Sequence, residues 1–354
     1  MNLEFFKGKR VLVTGHTGFK GTWLSKILVN AGAEVTGYSL GLPTEPSLFE
    51  MAGLDAVNDI RGDIIDLNHL KKVFDEFKPQ IVFHLAAQPI VRASYKNPVY
   101  TYETNVMGTV NVLECIRLSD TVKSAVIITT DKVYKNNEWV WGYRENEPLD
   151  GYDPYSNSKS CADLAVHCYR NSFFVQNGQA VSVARAGNVI GGGDFAADRI
   201  IPDCVRAIEK GTTIQVRNPY SIRPYQHVLE PLSAYLLIAM KQWDDKNLSG
   251  YYNVGPEDED VLTTGSLVNA FCEKWNADST FRKASWERIA DINAPHEASY
   301  LKLDSSKIKS IFGWNSKWHI SDALDRTVDI YRTYMKSTSL VSDEMNREIK
   351  EFFI

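Results

Sequence analysis

The chain has 354 residues, 44% of them hydrophobic, and a formal net charge of −5. This length can bury a large core, which excludes a small scaffold that depends on disulfides. The negative charge excludes a general attraction for nucleic acid or an anionic membrane, so an anionic ligand would need locally placed cations. We therefore expect neither a nucleic-acid partner nor a membrane partner.

The cysteines are odd in number and show neither a C-x-x-C pair nor the spacing of zinc ligands; they are Cys115, Cys161, Cys168, Cys204 and Cys272. This usage predicts no metal site and favours a reducing compartment. The first ten residues are too charged, and their apolar part is too short, to form the apolar region of a signal peptide. The apolar stretch 232–240 is too short for a membrane span. We expect a cytoplasmic location.

Short β-branched runs alternate with helical patterns through the first part of the chain. The predicted strands are 10–14, 33–39, 80–86, 124–130 and 180–186. The predicted helices between them are 21–32, 70–77 and 105–118. Continuous apolar strands separated by helices indicate a parallel sheet covered on both faces. The predicted fold class is α/β, a Rossmann-type doubly wound parallel sheet with a smaller, interleaved C-terminal substrate lobe.

The alternation ends near residue 187, where glycine-rich connections that contain arginine begin, at 187–203 and 216–228. Two further sheet-and-helix segments follow at 249–255 and 264–275. We predict a nucleotide-binding domain over 1–187 with later returns near 226–260. The substrate lobe is predicted over 188–225 and 261–354.

A glycine motif follows the first predicted strand and opens the first helix, with Gly15, Gly18 and Gly21 spaced as G-x-x-G-x-x-G. Such a helix N-terminus binds a pyrophosphate, and glycine lets the phosphate approach the backbone. After the second strand, Ser39 stands where an acid would contact a ribose, and no Lys or Arg is nearby in the sequence. The missing cation favours NAD over NADP. Asp63 is predicted either to contact the adenine or to start a helix.

Two further groups of residues are candidates for catalysis. Thr130, Asp131 and Lys132 follow the apolar run of the fourth predicted strand, and ligands of parallel sheets bind at the carboxyl ends of strands. An adjacent Asp and Lys on a surface is the alternative interpretation. Tyr155 and Lys159 lie at i and i+4, on one face of a helix. A nearby ammonium favours the phenolate of a tyrosine, whose ordinary pKa is about 10.

These motifs, with 84–88 (HLAAQ), 104–109 (TNVMGT) and 129–134 (TTDKVY), resemble the extended short-chain dehydrogenase/reductases over most of the chain. The resemblance implies NAD on the Rossmann half and a nucleotide sugar between two lobes. The stretches 185–203, 216–236 and 296–307 are similar to the nucleotide-sugar 4,6-dehydratases, with CDP-glucose as the implied substrate. A UDP-N-acetylglucosamine 4,6-dehydratase and a non-catalytic nucleotide-binding regulator remain the alternatives.

The resemblance also implies a set of binding residues. The residues implied for NAD are Gly15, Thr17, Gly18, Phe19, Lys20, Gly21, Asp63, Ile64, Leu85, Ala86, Ala87, Gln88, Asn105, Thr129, Tyr155 and Lys159. The residues implied for the nucleotide sugar are Gln88, Arg92, Ser94, Asn188, Arg199, Arg217, Arg223 and His227. Arginine forks suit a diphosphate. His227 is equally expected as a structural histidine, and Arg206 is expected on the solvated face of a helix.

The implied reaction oxidises carbon 4 of the sugar, removes water across carbons 5 and 6, and returns the hydride. Tyr155 and Thr130 would act at the 4-hydroxyl, Asp131 would protonate the departing 6-hydroxyl, and Lys132 would remove the carbon-5 proton. Burial would have to disfavour both charges of Asp131 and Lys132. The helices expected within 98–118 and 155–174 carry apolar residues on more than one face. In the resembling family such helices pair across a two-fold axis, which predicts a homodimer, with a tetramer as the alternative.

Overall fold

The computed structural model describes residues 1–289 and 300–354. Within them the strands in chain order are β1 (Arg10–Thr14), β2 (Glu34–Ser39), β3 (Asn58–Arg61), β4 (Ile81–His84), β5 (Ser124–Thr130), β6 (Ala180–Ala186), β7 (Val189–Ile190), β8 (Ile214–Val216), β9 (Ile222–Arg223), β10 (Gln226–His227), β11 (Tyr251–Val254), β12 (Leu262–Thr263) and β13 (Trp286–Arg288). Residues 296–299 of the segment 296–307, used in the resemblance above, lie outside the described residues.

The α-helices found in the same residues are α1 (Phe19–Asn30), α2 (Leu48–Met51), α3 (Leu67–Phe77), α4 (Val91–Lys96), α5 (Pro98–Tyr102), α6 (Gly108–Leu118), α7 (Pro154–Tyr169), α8 (Val175–Asn177), α9 (Ile200–Lys210), α10 (Leu229–Asp244), α11 (Thr264–Asn276), α12 (Ser306–Phe312), α13 (Ile320–Lys336) and α14 (Val341–Phe353). A π-helical turn over Glu103–Met107 joins α5 to α6. A second one over Arg170–Phe174 joins α7 to α8. None of the helices in the described residues is long and apolar enough to cross a membrane.

The central sheet has seven strands in the order β11-β6-β5-β4-β1-β2-β3. All neighbouring strands in it are parallel. Every residue of β5 and β6 is buried, as continuous apolar runs require in a sheet that is covered on both faces. The α/β doubly wound fold predicted from the sequence is confirmed.

The edge strand β3 was not predicted. Its sequence, NDIR, is polar and mostly exposed, so it gives no apolar run. It forms because its backbone pairs in parallel with β2 from Thr36 to Ser39. An edge strand needs little apolar content when only one of its sides is paired and one face meets solvent.

Two hydrophobic cores cover the two faces of the sheet, and a third lies in the later part of the chain. One face packs on α1 and α10 through residues such as Trp23 and Leu236. The other packs on α3, α6 and α7 through residues such as Leu113 and Val166. The third core joins α9, α11 and α13 with the short strands β7 and β8 and has no share in the central sheet. Layers that each bury one apolar face are the ordinary solution for an α/β chain.

Candidate active site

A cavity of about 920 Å³ opens at the carboxyl ends of the central strands. Its wall includes the loop after β1, the turn after β5, the start of α7 and the arginine-containing loops after β7 and β8. The predicted site residues on this wall are Gly15, Thr17, Gly18, Phe19, Lys20, Gly21, Asp63, Ile64, Leu85, Ala86, Ala87, Arg92, Thr129, Thr130, Asp131, Lys132, Tyr155, Lys159, Asn188, Arg199, Arg217 and Arg223. The fold therefore brings together most of the residues that the sequence indicates.

The glycine loop has the geometry of a phosphate cradle. Gly15 has a φ of +74°, and a Cβ there would lie 2.7 Å from the backbone nitrogen of Ala86. A Cβ on Gly21 would clash with the Gly15 carbonyl oxygen. Gly18 caps the N-terminus of the 12-residue helix α1, and its backbone N–H donates to the Gly15 carbonyl at 3.1 Å. The bare backbone and the helix N-terminus fit the pyrophosphate of a dinucleotide.

Ser39, at the end of β2, belongs to a polar chain that the sequence did not reveal. Its hydroxyl lies 2.7 Å from His16 Nδ1, and His16 Nε2 lies 2.9 Å from an Asp59 carboxylate oxygen. Arg61 is the parallel partner of Ser39 on β3 and donates to Asp59 at 2.6 Å. The sequence around Ser39 carries no cation, but β3, which was not predicted, brings Arg61 close to it in space. Arg61 is bound to Asp59 and lies outside the cavity wall.

Thr130 and Asp131 form the end of β5 and the turn that follows it. The strand ends at Thr130, and Asp131–Val133 form a 3-10 turn. Asp131 and Lys132 therefore lie in a turn and not on the strand. The Thr130 hydroxyl donates to Asp131 Oδ1 at 2.9 Å, while Asp131 Oδ2 is buried and has no hydrogen-bond partner among the described residues.

Burial raises the pKa of the Asp131 carboxyl above its usual range, because a buried charge loses its hydration. The Lys132 ammonium, the Thr130 hydrogen bond and the Arg223 guanidinium oppose this rise. Only 1% of the Asp131 surface is exposed. A neutral carboxylic acid at the end of β5 is a competent proton donor. The surface interpretation of Asp131 is therefore excluded.

Tyr155 and Lys159 share one face of α7 and both line the cavity. Lys159 Nζ donates to the Ile128 carbonyl at 2.9 Å, and burial lowers the pKa of this ammonium to about 8 although Asp163 raises it. Burial raises the pKa of Tyr155 to about 12, against a hydrogen bond with Thr130 and the charge of Arg199. The expected phenolate is not favoured in this arrangement, since loss of hydration outweighs the nearby cations.

Lys20 lies in the glycine loop among other cations. Burial lowers the pKa of its ammonium to about 7, and Arg199 and Lys159 lower it further while Asp131 raises it. Its Nζ lies 5.8 Å from the centre of the Tyr235 ring. Lys20 therefore adds a readily deprotonated amine to the cavity wall.

Arg199 and Arg217, on the wall, are bound to acids of the loop between β7 and α9. Arg199 Nη1 lies 3.7 Å from Asp194 Oδ2, and Arg217 Nη2 donates to Asp198 Oδ1 at 3.1 Å. Arg223 is 5% exposed and close enough to Asp131 to lower its pKa. The sequence drew attention to the arginines but not to the acids that hold them.

Arg206 was expected on a solvated helix face, and this was wrong in part. It lies outside the cavity wall, but its guanidinium donates to the carbonyl oxygens of Phe195 and Ala196, each at 3.1 Å. It also pairs with Asp203. Arg206 thus holds the loop that precedes α9 and carries the cavity arginine Arg199.

Three predicted ligand residues stand behind the wall rather than on it. Asn105 accepts from the Gln88 backbone N–H at 2.8 Å and donates to Ser158 at 2.9 Å. The Ser94 hydroxyl accepts from the Tyr155 backbone N–H at 3.1 Å. Ser94 and Asn105 thus hold the start of α7, and Gln88 is joined to it through Asn105; the ligand contacts of these three residues remain predictions.

His227 has the surroundings of a structural histidine, which was one of its two expected roles. It is fully buried in the first core, its Nδ1 accepts from the Leu229 backbone N–H at 3.3 Å, and burial lowers its pKa to about 3. Its ring packs on Trp23 and Trp318 at centroid distances of 6.2 and 4.9 Å. Glu230, three residues later, accepts from two backbone N–H groups ahead of α13. This part of the 216–236 segment is structural.

The parallel doubly wound sheet and the glycine cradle at the end of β1 define the class of Rossmann-type dinucleotide-binding folds. A family model described as GDP-mannose 4,6 dehydratase matches residues 12–327. The chain belongs to this family.

Particular relatives agree with this assignment. The chain is 49% identical, over 99% of its length and 97% of the relative's, to a Salmonella typhimurium protein named CDP-glucose 4,6-dehydratase. A Sinorhizobium fredii protein named probable dTDP-glucose 4,6-dehydratase is 28% identical over 91% of this chain and 92% of its own.

Solved structures show the same fold. The UDP-glucose 4-epimerase of Thermus thermophilus, solved as a complex with NAD, has a TM-score of 0.77 and 26% identity, covering 91% of this chain and 99% of its own. The dTDP-glucose 4,6-dehydratase of Streptomyces venezuelae, solved with NAD bound, has a TM-score of 0.78 and 24% identity over 95% of this chain and 99% of its own.

Proposed function

We propose that this chain is an NAD-dependent nucleotide-sugar 4,6-dehydratase, a hydro-lyase, whose substrate is CDP-glucose. The observation that carries the proposal is the group at the end of β5. A buried carboxyl with a raised pKa, Asp131, hydrogen-bonds Thr130 beside the Tyr155 hydroxyl, with Lys132 next in the chain. The substrate follows from the 49% identity to the Salmonella protein named CDP-glucose 4,6-dehydratase.

The glycine cradle and the cavity wall fit a nicotinamide dinucleotide. Gly15, Gly18 and Gly21 would hold the pyrophosphate at the N-terminus of α1, and Asp63 would lie toward the adenine. NAD supplies, when bound, the acceptor and then the donor of a hydride. The support for NAD comes from this cradle and from the NAD-bound structures of similar fold.

The chain's own residues supply the proton transfers. Tyr155 takes the proton of the sugar's 4-hydroxyl while Thr130 holds that hydroxyl in place. Because burial raises the pKa of Tyr155 to about 12, its hydroxyl must lose its own proton before it can take that of the sugar, and the local cations lower the cost of this loss. Oxidation at carbon 4 acidifies carbon 5, where Lys132 would take the proton as the neutral amine, and Asp131 gives its proton to the departing 6-hydroxyl.

The nucleotide part of the substrate is assigned to the arginine loops. Arg199, Arg217, Arg223 and Asn188 line the side of the cavity formed by the loops after β7 and β8. Arginine pairs bind diphosphates through several parallel hydrogen bonds. The same proposal places the dinucleotide on 1–187 and the sugar nucleotide against 188–225 and 261–354.

The assembly, location and pathway belong to the same proposal. The exposed apolar residues on α5, α7 and the π-helical turn before α6 support a homodimer. The cysteine usage supports a cytoplasmic enzyme. The expected product, CDP-4-dehydro-6-deoxy-glucose, would serve the formation of deoxysugars for cell-surface polysaccharide such as lipopolysaccharide O-antigen.

The decisive experiment incubates the purified protein with CDP-glucose, with and without added NAD, and follows the product by NMR. We expect a 4-keto-6-deoxy sugar and no net reduced nicotinamide.

The same assay is repeated with UDP-N-acetylglucosamine and with UDP-, GDP- and dTDP-glucose as substrates. Turnover of UDP-N-acetylglucosamine alone would assign the rival substrate. Binding without turnover of any sugar would favour the non-catalytic regulator. A folded Tyr155→Phe variant is the inactive control.

A further inference from the structure

Asp198 is an acid on the wall of a cavity that is assigned to an anionic substrate. It lies in the loop between β7 and α9, directly before Arg199. Its φ is +58°, in the left-handed region that Asp and Asn tolerate better than most residues. Its side chain is 38% exposed, so solvent reaches it. A carboxylate in this place repels a diphosphate and so opposes its binding.

The Asp198 carboxylate joins cations from two parts of the fold. Its Oδ1 accepts a hydrogen bond from Arg217 Nη2 at 3.1 Å and lies 3.9 Å from Arg92 Nε. Arg92 is on α4, beside the central sheet, whereas Arg217 directly follows β8 of the later lobe. One carboxylate oxygen therefore lies between two guanidinium groups that both line the cavity.

Two guanidinium groups around one oxygen are also the arrangement that binds a phosphate oxygen. A diphosphate that uses Arg217 or Arg92 must displace the carboxylate or share the cation with it. Sharing costs repulsion between like charges a few ångströms apart. The ligand and Asp198 therefore compete for the same hydrogen-bond donors.

We propose that Asp198 sets the affinity of this site by competing with the nucleotide diphosphate for Arg92 and Arg217. The inference rests on the proposed function, since it takes the cavity arginines as the diphosphate site. The competition acts on binding and not on the reacting carbons. It therefore weakens the binding of substrate and of product to the same extent. This raises KM and does not stabilise the transition state.

The test is Asp198→Asn, which keeps the shape and the tolerance for a left-handed backbone but removes the charge. The probe is inorganic pyrophosphate, with binding measured by calorimetry. We expect about three- to tenfold tighter binding, the size expected for removing one partly exposed ion pair. We expect KM for CDP-glucose to fall by a similar factor. Asp325→Asn, which breaks an exposed pair with Lys274 away from the cavity, is the control and should change neither.

A double-mutant cycle with Arg217→Met tests the mechanism. The gain from Asp198→Asn should become smaller when Arg217 is absent, because the competition then keeps only the more distant Arg92 as a shared partner. Unchanged or weaker pyrophosphate binding by Asp198→Asn overturns the inference, as does an equal gain in the Arg217→Met background. The pyrophosphate measurements do not require turnover. If the wild type fails to convert CDP-glucose, the proposed function fails while these measurements still decide the role of Asp198.

Discussion

Asp131 shows how position changes the ionisation of an ordinary side chain. In water an Asp–Lys pair would carry both charges, since the ordinary pKa values are about 3.9 and 10.4. The fold buries Asp131 at the end of β5 and leaves one carboxyl oxygen without a hydrogen-bond partner in the described chain. Loss of hydration then outweighs the nearby cations, and the acid is held toward its neutral form.

Asp131→Asn should abolish the proton donor while keeping the size of the side chain. We expect the rate of water loss to fall by about 10²- to 10⁴-fold, the usual contribution of a positioned acid. Because the Asp131 pKa is raised, the wild-type rate should stay high until the pH passes that raised value and then decline. Single-turnover rates against pH measure this. A variant that keeps the wild-type rate, or the same decline with pH, contradicts the assignment.

Lys132→Met should separate oxidation from elimination. Because oxidation at carbon 4 comes first, the variant should bind substrate and show a transient absorbance of reduced nicotinamide. It should then stall, with exchange of the carbon-5 proton in heavy water slowed by about 10²-fold or more. Asp131→Asn is the matched comparison, since it keeps the base. Exchange at the wild-type rate in Lys132→Met would show that Lys132 is not the base.

At the element scale, α7 is tied to the end of β5 by contacts one helical turn apart. Lys159 donates to the Ile128 carbonyl at 2.9 Å, and Asp163 accepts from Thr129 at 3.2 Å. Arg185 on β6 binds both Asp163 oxygens at 2.8 Å. The i, i+4 spacing of Tyr155 and Lys159 was readable in the sequence. The Asp163–Arg185 pair was not, because no local pattern connects residues on different elements.

Helix α10 gives an element-scale prediction. Burial raises the pKa of Glu230 to about 7 from 4.5, although the N–H groups of Trp318 and Lys317 oppose the rise. A raised folded-state pKa gives stability that is full below pH 4.5 and lost as pH rises through about 7. Relative to Glu230→Gln, the wild type should lose about 3 kcal/mol of unfolding free energy between pH 4.5 and 8. Urea denaturation at several pH values measures this.

The amide of Glu230→Gln can still accept both backbone N–H groups, so the variant should fold. Glu273→Gln, which alters an exposed glutamate, is the control and should follow the wild type at every pH. A difference between wild type and Glu230→Gln that stays constant across this range would show that Glu230 is ionised in the folded protein at all of these pH values.

Strands were predictable where the sequence alone determines burial. β1, β5 and β6 have the predicted bounds, because a strand covered on both faces must be apolar throughout. β3 was missed because its pairing with β2 depends on the neighbour and not on its own residues. The turn over Asp131–Val133 was not predicted, because a 3-10 turn has no marker in this sequence.

At the scale of the whole molecule, the site combines predictable and unpredictable parts. The carboxyl ends of parallel strands always meet at one edge, so the glycine loop and Thr130–Asp131–Lys132 were correctly expected to meet. Which arginines and histidines reach that edge depends on how the later lobe folds back. The sequence therefore could not exclude His227 or foresee Asp198, whose partners Arg92 and Arg217 are 106 and 19 residues away in the chain.

Apolar side chains are exposed on α7 and on the π-helical turn that leads into α6. Met107 and Leu164 are 50% and 52% exposed. Apolar residues that remain exposed on neighbouring helices are typical of a surface covered by another copy. We expect a dimeric mass for the wild type by light scattering at micromolar concentration. Met107→Glu combined with Leu164→Glu should give a monomer, because four buried charges would face each other across a two-fold contact.

Leu340→Glu, at an exposed position before α14, is the control and should stay dimeric. A monomeric wild type, or a dimer that survives both substitutions, would remove these helices from the interface.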